Sequence, residues 1–122
     1  MMQTFGASLD AVRSGHVTIS APILPGCLQQ QGFGHAALTF GVGDSAAGYA
    51  ALTTLPPDQE VVTAEIKINL TAPAFGERLI AKGRVIKPGR RLIVVTSEIF
   101  AHHDGVDTLI AVMQGTMVPV AV

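Results

Sequence analysis

The stretch Gly34–Leu52, GHAALTFGVGDSAAGYAAL, decides how this chain folds. It is long enough for about five helical turns, apolar or small nearly all round, and interrupted by one carboxylate, Asp44. A helix without a polar face must be wrapped by other structure, and a carboxylate is rarely left inside such a wrapping without a task. Gly41, Gly43 and Gly48 each cost about 1 kcal/mol relative to Ala in a helix interior, a loss that close packing can offset. The expectation is a long buried helix, over 35–52, against a curved antiparallel sheet that approaches its axis closely. Asp44 is the first candidate for chemistry.

The flanks fit that picture. Over 1–15, Phe5, Leu9 and Val12 recur at three- and four-residue spacing and Gly15 offers a stop, which predicts a short N-terminal helix. HVTISAPIL (16–24) reads as a strand closed by Pro25 and Gly26, and a polar loop from Gln29 leads into the central helix. Beyond Pro56, Pro57 and Asp58 the period becomes two, with Val62, Ala64, Ile66, Ile68 and Leu70 on one face and Thr63, Glu65, Lys67 and Asn69 on the other. Three further apolar-rich segments, 78–87, 91–102 and 108–120, are separated by turn residues. Together 61–120 is expected to form an antiparallel meander. The last two segments are apolar on both faces, so one face is expected to cover the helix and the other to meet another subunit.

Length and composition narrow the function. The 122 residues suit one domain, whose core would bury about two thirds of the unfolded surface. Hydrophobic residues make up 48% and charged ones only 14%, which points to a homo-oligomer. The net charge is −1 with no basic block, which argues against a nucleic acid partner. One cysteine, Cys27, cannot form an internal disulfide, and no Cys/His spacing suits zinc, so a cytoplasmic setting without a metal is expected. No apolar run approaches a membrane span, and the first residues lack a signal-peptide pattern.

The ordered set of motifs resembles the hotdog fold, and specifically the PaaI-type (phenylacetate degradation type) acyl-CoA thioesterases, over about 16–118. His35 is followed nine residues later by Asp44, Gly32 lies three before the His, and DSAAGYA (44–50) is similar to the family's helix continuation. VTAEIKINLTAP (62–73), Gly76, KPGRRL (87–92) and the closing 111–116 segment resemble the later family elements. Two departures stand out. The family's two glycines after the His are Ala36 and Ala37 here, and the Asn six residues before it is Gln29. Both alanines keep their backbone N–H groups, so an anion-stabilising helix start survives if their φ angles are negative.

The resemblance implies an α+β hotdog domain that hydrolyses acyl-CoA thioesters without a cofactor, the coenzyme A moiety belonging to the substrate. Asp44 would assist water, or attack directly to give an anhydride; the Ala36 N–H and Gln29 would polarise the carbonyl; Thr63 would orient the water. Thioester hydrolysis needs such a base or nucleophile and such donors. His35 fits an anchor for the loop better than a base. Lys87, Arg90 and Arg91 around the Gly89 turn are the local cations for the coenzyme's phosphates. Nine helical residues span about 13 to 14 Å, so His35 and Asp44 of one helix cannot reach one carbonyl, whereas an antiparallel two-fold partner unites them. The site is therefore expected between subunits of a dimer or of a dimer of dimers, that is, a homotetramer. The altered His-Ala-Ala signature motivates an alternative, a non-catalytic acyl-CoA binder. A hotdog dehydratase is disfavoured because its His-plus-acid pairing is not visible. His102, His103 and Asp104 read as a solvated hairpin turn, Cys27 as packing, and Ser45 lacks a neighbouring base.

Overall fold

In the computed structural model, which describes residues 1–122, the chain runs α1 (Met2–Phe5), β1 (Ser8–Arg13), β2 (His16–Pro22), a 3-10 turn (Pro25–Cys27), α2 (Ala36–Leu52), β3 (Gln59–Leu70), β4 (Arg78–Lys87), β5 (Ile93–His103) and β6 (Val106–Ala121). The strands form one six-stranded sheet in the order β1-β2-β4-β5-β6-β3, antiparallel at every pairing. Its inner face packs on α2. This is the hotdog architecture, one long helix held in a curved sheet.

The close approach expected of the helix is made from both sides. A Cβ on Gly83 of β4 would fall on the Ala46 carbonyl of α2, so helix main chain lies directly on sheet main chain there. On the helix, Gly43 gives its place to the Met113 sulfur and to Ile99. Leu38, Val42, Ala46 and Ala50 then join Val17, Ile19, Leu79, Ala81 and Ile99 in a continuous core. Burial of this order, about 25 cal/mol per Å² of apolar surface, is what offsets the helical glycines.

Three expectations are corrected. The helix expected over 1–15 covers only Met2–Phe5, because Gly6 turns left-handed (φ 64°) and ends it, and Ser8–Arg13 instead pairs with β2 through the Gly15 turn. On that edge strand Leu9 and Val12 stay exposed, so their helical spacing reported no buried face. The meander expected over 61–120 holds only for β4-β5-β6: β3 crosses to the far edge and pairs with β6, while β2 takes the place beside β4. The face assigned to β3 is also wrong at its start. A bulge at Ala64 resets the alternation, so Val61 and Thr63 turn inward before it and Ile66 and Ile68 after it, leaving Val62 51% exposed.

The outer face of the sheet is mixed rather than a second apolar surface. On β5, Val94 and Phe100 share it with Thr96 and Glu98, and the Lys82 ammonium lies 5.0 Å from the centre of the Phe100 ring. On β6, Ile110 is a bulge residue and turns inward instead of adding to the outer face.

α2 is not wrapped on every side. Ala37, Gly41, Asp44, Ser45, Gly48 and Leu52 form a stripe that the sheet does not cover, with Phe5 of α1 laid on Gly41. Asp44 is thus half-buried at an open helix face rather than sealed in hydrocarbon. No helix is long and apolar enough to cross a membrane.

Candidate active site

The start of α2 is built by His35. Its backbone is extended (φ −65°, ψ 146°) and its Nδ1 accepts the Ala37 N–H at 2.9 Å, a histidine acting as N-cap. With Nδ1 accepting, the ring proton belongs on Nε2. His35 is thereby an anchor, and the Cys27 carbonyl fixes it further by accepting its N–H at 2.8 Å. Of the two alanine amides, Ala37 spends its N–H on the cap. The Ala36 N–H has no partner in the chain, and neither alanine has positive φ. One backbone donor therefore stands open at the positive end of the helix dipole.

Gln29 reaches the same place. It lines, with Phe33, His35, Ala36, Thr39 and Leu70 among others, a groove of about 540 Å³ at the helix start. Its side-chain oxygen accepts the Gln31 N–H and its Nε2 donates to Gln31 Oε1 at 3.3 Å, so the amide is held within its own loop. The loop is tied down where Gly34 donates to the Ala74 carbonyl at 2.8 Å.

Asp44 and Thr63 form a second group. The Thr63 hydroxyl donates to Asp44 Oδ1 at 2.8 Å, and its oxygen lies 3.3 Å from the Met117 sulfur. Expected on the polar face of its strand, Thr63 points at the helix because of the bulge one residue later. The two groups do not meet within one chain. Asp44 lies eight residues beyond Ala36, about 12 Å along the axis, and lines no part of the groove. Lys87, Gly89, Arg90 and Arg91 are exposed on the β4–β5 turn, at the end of the sheet opposite the loop that holds the helix start.

Some neighbours of the site carried no sequence signal. Thr39, fully buried one turn after Ala36, presents a side chain to the groove. Phe33 meets Phe75 edge to face (centroids 6.1 Å apart), and Phe75 lies 4.5 Å from the His103 ring, linking the Gln29 loop to the β5–β6 hairpin. There Glu77 accepts the Asp104 N–H at 3.3 Å and lies 3.4 Å from His103 Nδ1. The Asp104 N–H first, then Glu77's own backbone N–H and the nearby His103, hold the Glu77 carboxyl below its ordinary value. His102 pairs separately with Asp107 at 2.6 Å, as expected of adjacent strand residues that face opposite ways. Only the fold brings these segments together; a spacing of aromatic residues could not have indicated it.

Residues 31–108, which hold the helix, Asp44 and the first two of the three meander strands, match the family model described as the thioesterase superfamily. The chain belongs to the thioesterase superfamily. It is 37% identical over 84 residues to a protein named as an esterase from Saccharolobus solfataricus; the match takes in 69% of this chain and 53% of that one, so the chain spans about half that relative's length. Among solved structures it is similar to a thioesterase family protein from Silicibacter pomeroyi (39% identity, TM-score 0.97, 99% of this chain and 89% of that one). A Bacillus halodurans protein solved with CoA is 25% identical (TM-score 0.78, 84% and 66% covered). The E. coli PaaI protein of the phenylacetic acid degradation operon shares the fold at 18% identity (TM-score 0.85, 98% and 83% covered).

Proposed function

We propose that the protein is an acyl-CoA thioesterase whose active site is completed by a second copy of the chain. The observation that carries the reading is a division of labour: an open Ala36 N–H in a groove at one end of α2, and a Thr63-held Asp44 on the uncovered stripe about 12 Å away. An antiparallel two-fold partner would set the Asp44 of one protomer over the groove of the other. β3 supports the pairing, being a 12-residue strand with a free edge, with Val62 and Leu70 more than half exposed. A dimer, or a dimer of dimers as a homotetramer, in the cytoplasm is the working form.

In that site the thioester oxygen would accept from the Ala36 N–H, with Gln29 as a second donor once it leaves Gln31. Asp44 Oδ2, left free by Thr63, would take the proton of a water attacking the carbonyl carbon; the tetrahedral oxyanion then collapses and the thiolate leaves. In the variant course the carboxylate attacks first and water resolves the anhydride. Lys87, Arg90 and Arg91 with the Gly89 turn lie at the end of the sheet that the two-fold would bring towards the partner's groove. They are assigned to the coenzyme's phosphates. No metal is required in either course.

One observation favours a second reading, an acyl-CoA binder without turnover: Ala37 and Gln29 are both engaged within the chain, leaving a single open donor. A panel of short-chain, long-chain and aromatic acyl-CoA esters separates the two. Thiol release by the natural chain that vanishes in Asp44→Ala establishes the hydrolase; binding of the esters with no thiol released establishes the binder.

A further inference from the structure

The sheet face turned away from α2 carries one row that crosses all six strands: Arg13, His16, Arg84, Thr96, Gln114 and Lys67, each the registered partner of the next. Directly paired residues share a face, so these side chains stand side by side, and all line a groove of about 1130 Å³. None is a carboxylate. Glu98 and Glu65 lie on the adjoining rows, Glu65 accepting from the Thr116 hydroxyl at 2.8 Å. No Lys or Arg of the chain comes within ion-pair distance of a carboxylate; the close pairs all belong to histidines. Like-charged neighbours across strands are unfavourable, and Arg13 and Arg84 flank His16 with no anion to offset them. His16 uses Nδ1 on the Ser14 carbonyl (3.3 Å), which leaves Nε2 directed elsewhere.

We infer that the Arg13–His16–Arg84 end of this row is a binding site for a diphosphate group, on the face of the sheet opposite Asp44. β1, β2 and β4 are adjacent, so the two arginines start about 10 Å apart on one groove, a gap that two long side chains can close around a diphosphate. Guanidinium groups grip phosphate oxygens in pairs, and Thr96 and Lys82 extend the donors along the groove. Two ligand families carry this group, a nucleoside diphosphate and the diphosphate bridge of a coenzyme A ester. The site stands whether or not the protein hydrolyses thioesters.

Calorimetric titration of the full chain with inorganic pyrophosphate tests it. Saturable binding that falls about tenfold in each of Arg13→Gln and Arg84→Gln, and is unchanged in Arg78→Gln, an exposed arginine of β4 outside the groove, supports the site. ADP and CoA run in parallel name the source, according to which binds more tightly with the same dependence on Arg84. Absence of binding at millimolar pyrophosphate overturns the proposal, as does binding that is lost in Arg90→Gln/Arg91→Gln, the coenzyme-phosphate candidates, but kept in Arg84→Gln.

Discussion

At the scale of single residues, the candidate site turns on which hydrogen-bonding groups are spent. His35 caps Ala37 and leaves Ala36 open, so one amide can be deleted without disturbing its neighbours. Ala36→Pro does this: proline suits the first helical position, and the extended backbone of His35 suits the residue before it. The variant should keep its fold by circular dichroism and lose about 10²- to 10³-fold in thiol release, the usual effect of removing one oxyanion donor. Thr63→Val should lower kcat about tenfold with KM unchanged, because it takes a hydrogen bond from Asp44 and leaves the groove intact. Asp44 was legible from sequence as the one charge in an apolar helix. Thr63 was legible only by family position, since strict alternation put it on the wrong face; the bulge at Ala64 has no signature in a run of strand-forming residues.

At the scale of elements, local pattern located the pieces better than their partners. The strand read at 78–87 and the helix read at 35–52 lie where β4 and α2 lie, because turn residues and apolar periodicity are local signals. The crossing of β3 to β6 is a choice among distant partners of similar composition, on which spacing says nothing. Nor could it distinguish four helical residues from fifteen when Gly6 was free to turn left-handed. The contact of α2 on β4 makes its own demand. Gly83→Ala pushes a methyl into helix main chain, which cannot rotate away, and should cost about 2 to 3 kcal/mol in urea unfolding. The hairpin clamp is sensitive to acid. The Glu77 carboxyl is depressed in the folded chain, so its contribution is complete above the ordinary value of about 4.3 and is lost as pH falls through the lower native one. The acid-induced fall in stability, read by urea unfolding, should be smaller in Glu77→Gln, which keeps an acceptor for the Asp104 N–H but no charge to lose.

At the scale of the whole molecule, the separation of Asp44 from Ala36 would, on the proposed reading, make activity a property of the assembly. A mixture of Asp44→Asn and Ala36→Pro chains, each inactive alone, should recover about a quarter of the natural rate after exchange of subunits, since half the dimers pair the two and each such dimer has one intact site. Sites confined within one chain would show no recovery. The sequence placed a second apolar surface on the sheet, whereas the outer sheet face is mixed and exposed apolar side chains stand along β3 at Val62 and Leu70.

The sulfurs of Met113 and Met117 lie beneath α2, one against Gly43 and the other beside the Thr63 hydroxyl, both nearly inaccessible to solvent. An oxygen added to either by peroxide would need room that the helix occupies, so oxidation must wait for the helix to lift. Inactivation by peroxide therefore measures how often the molecule opens. A ligand or partner that keeps α2 seated slows that damage without shielding any atom of sulfur itself.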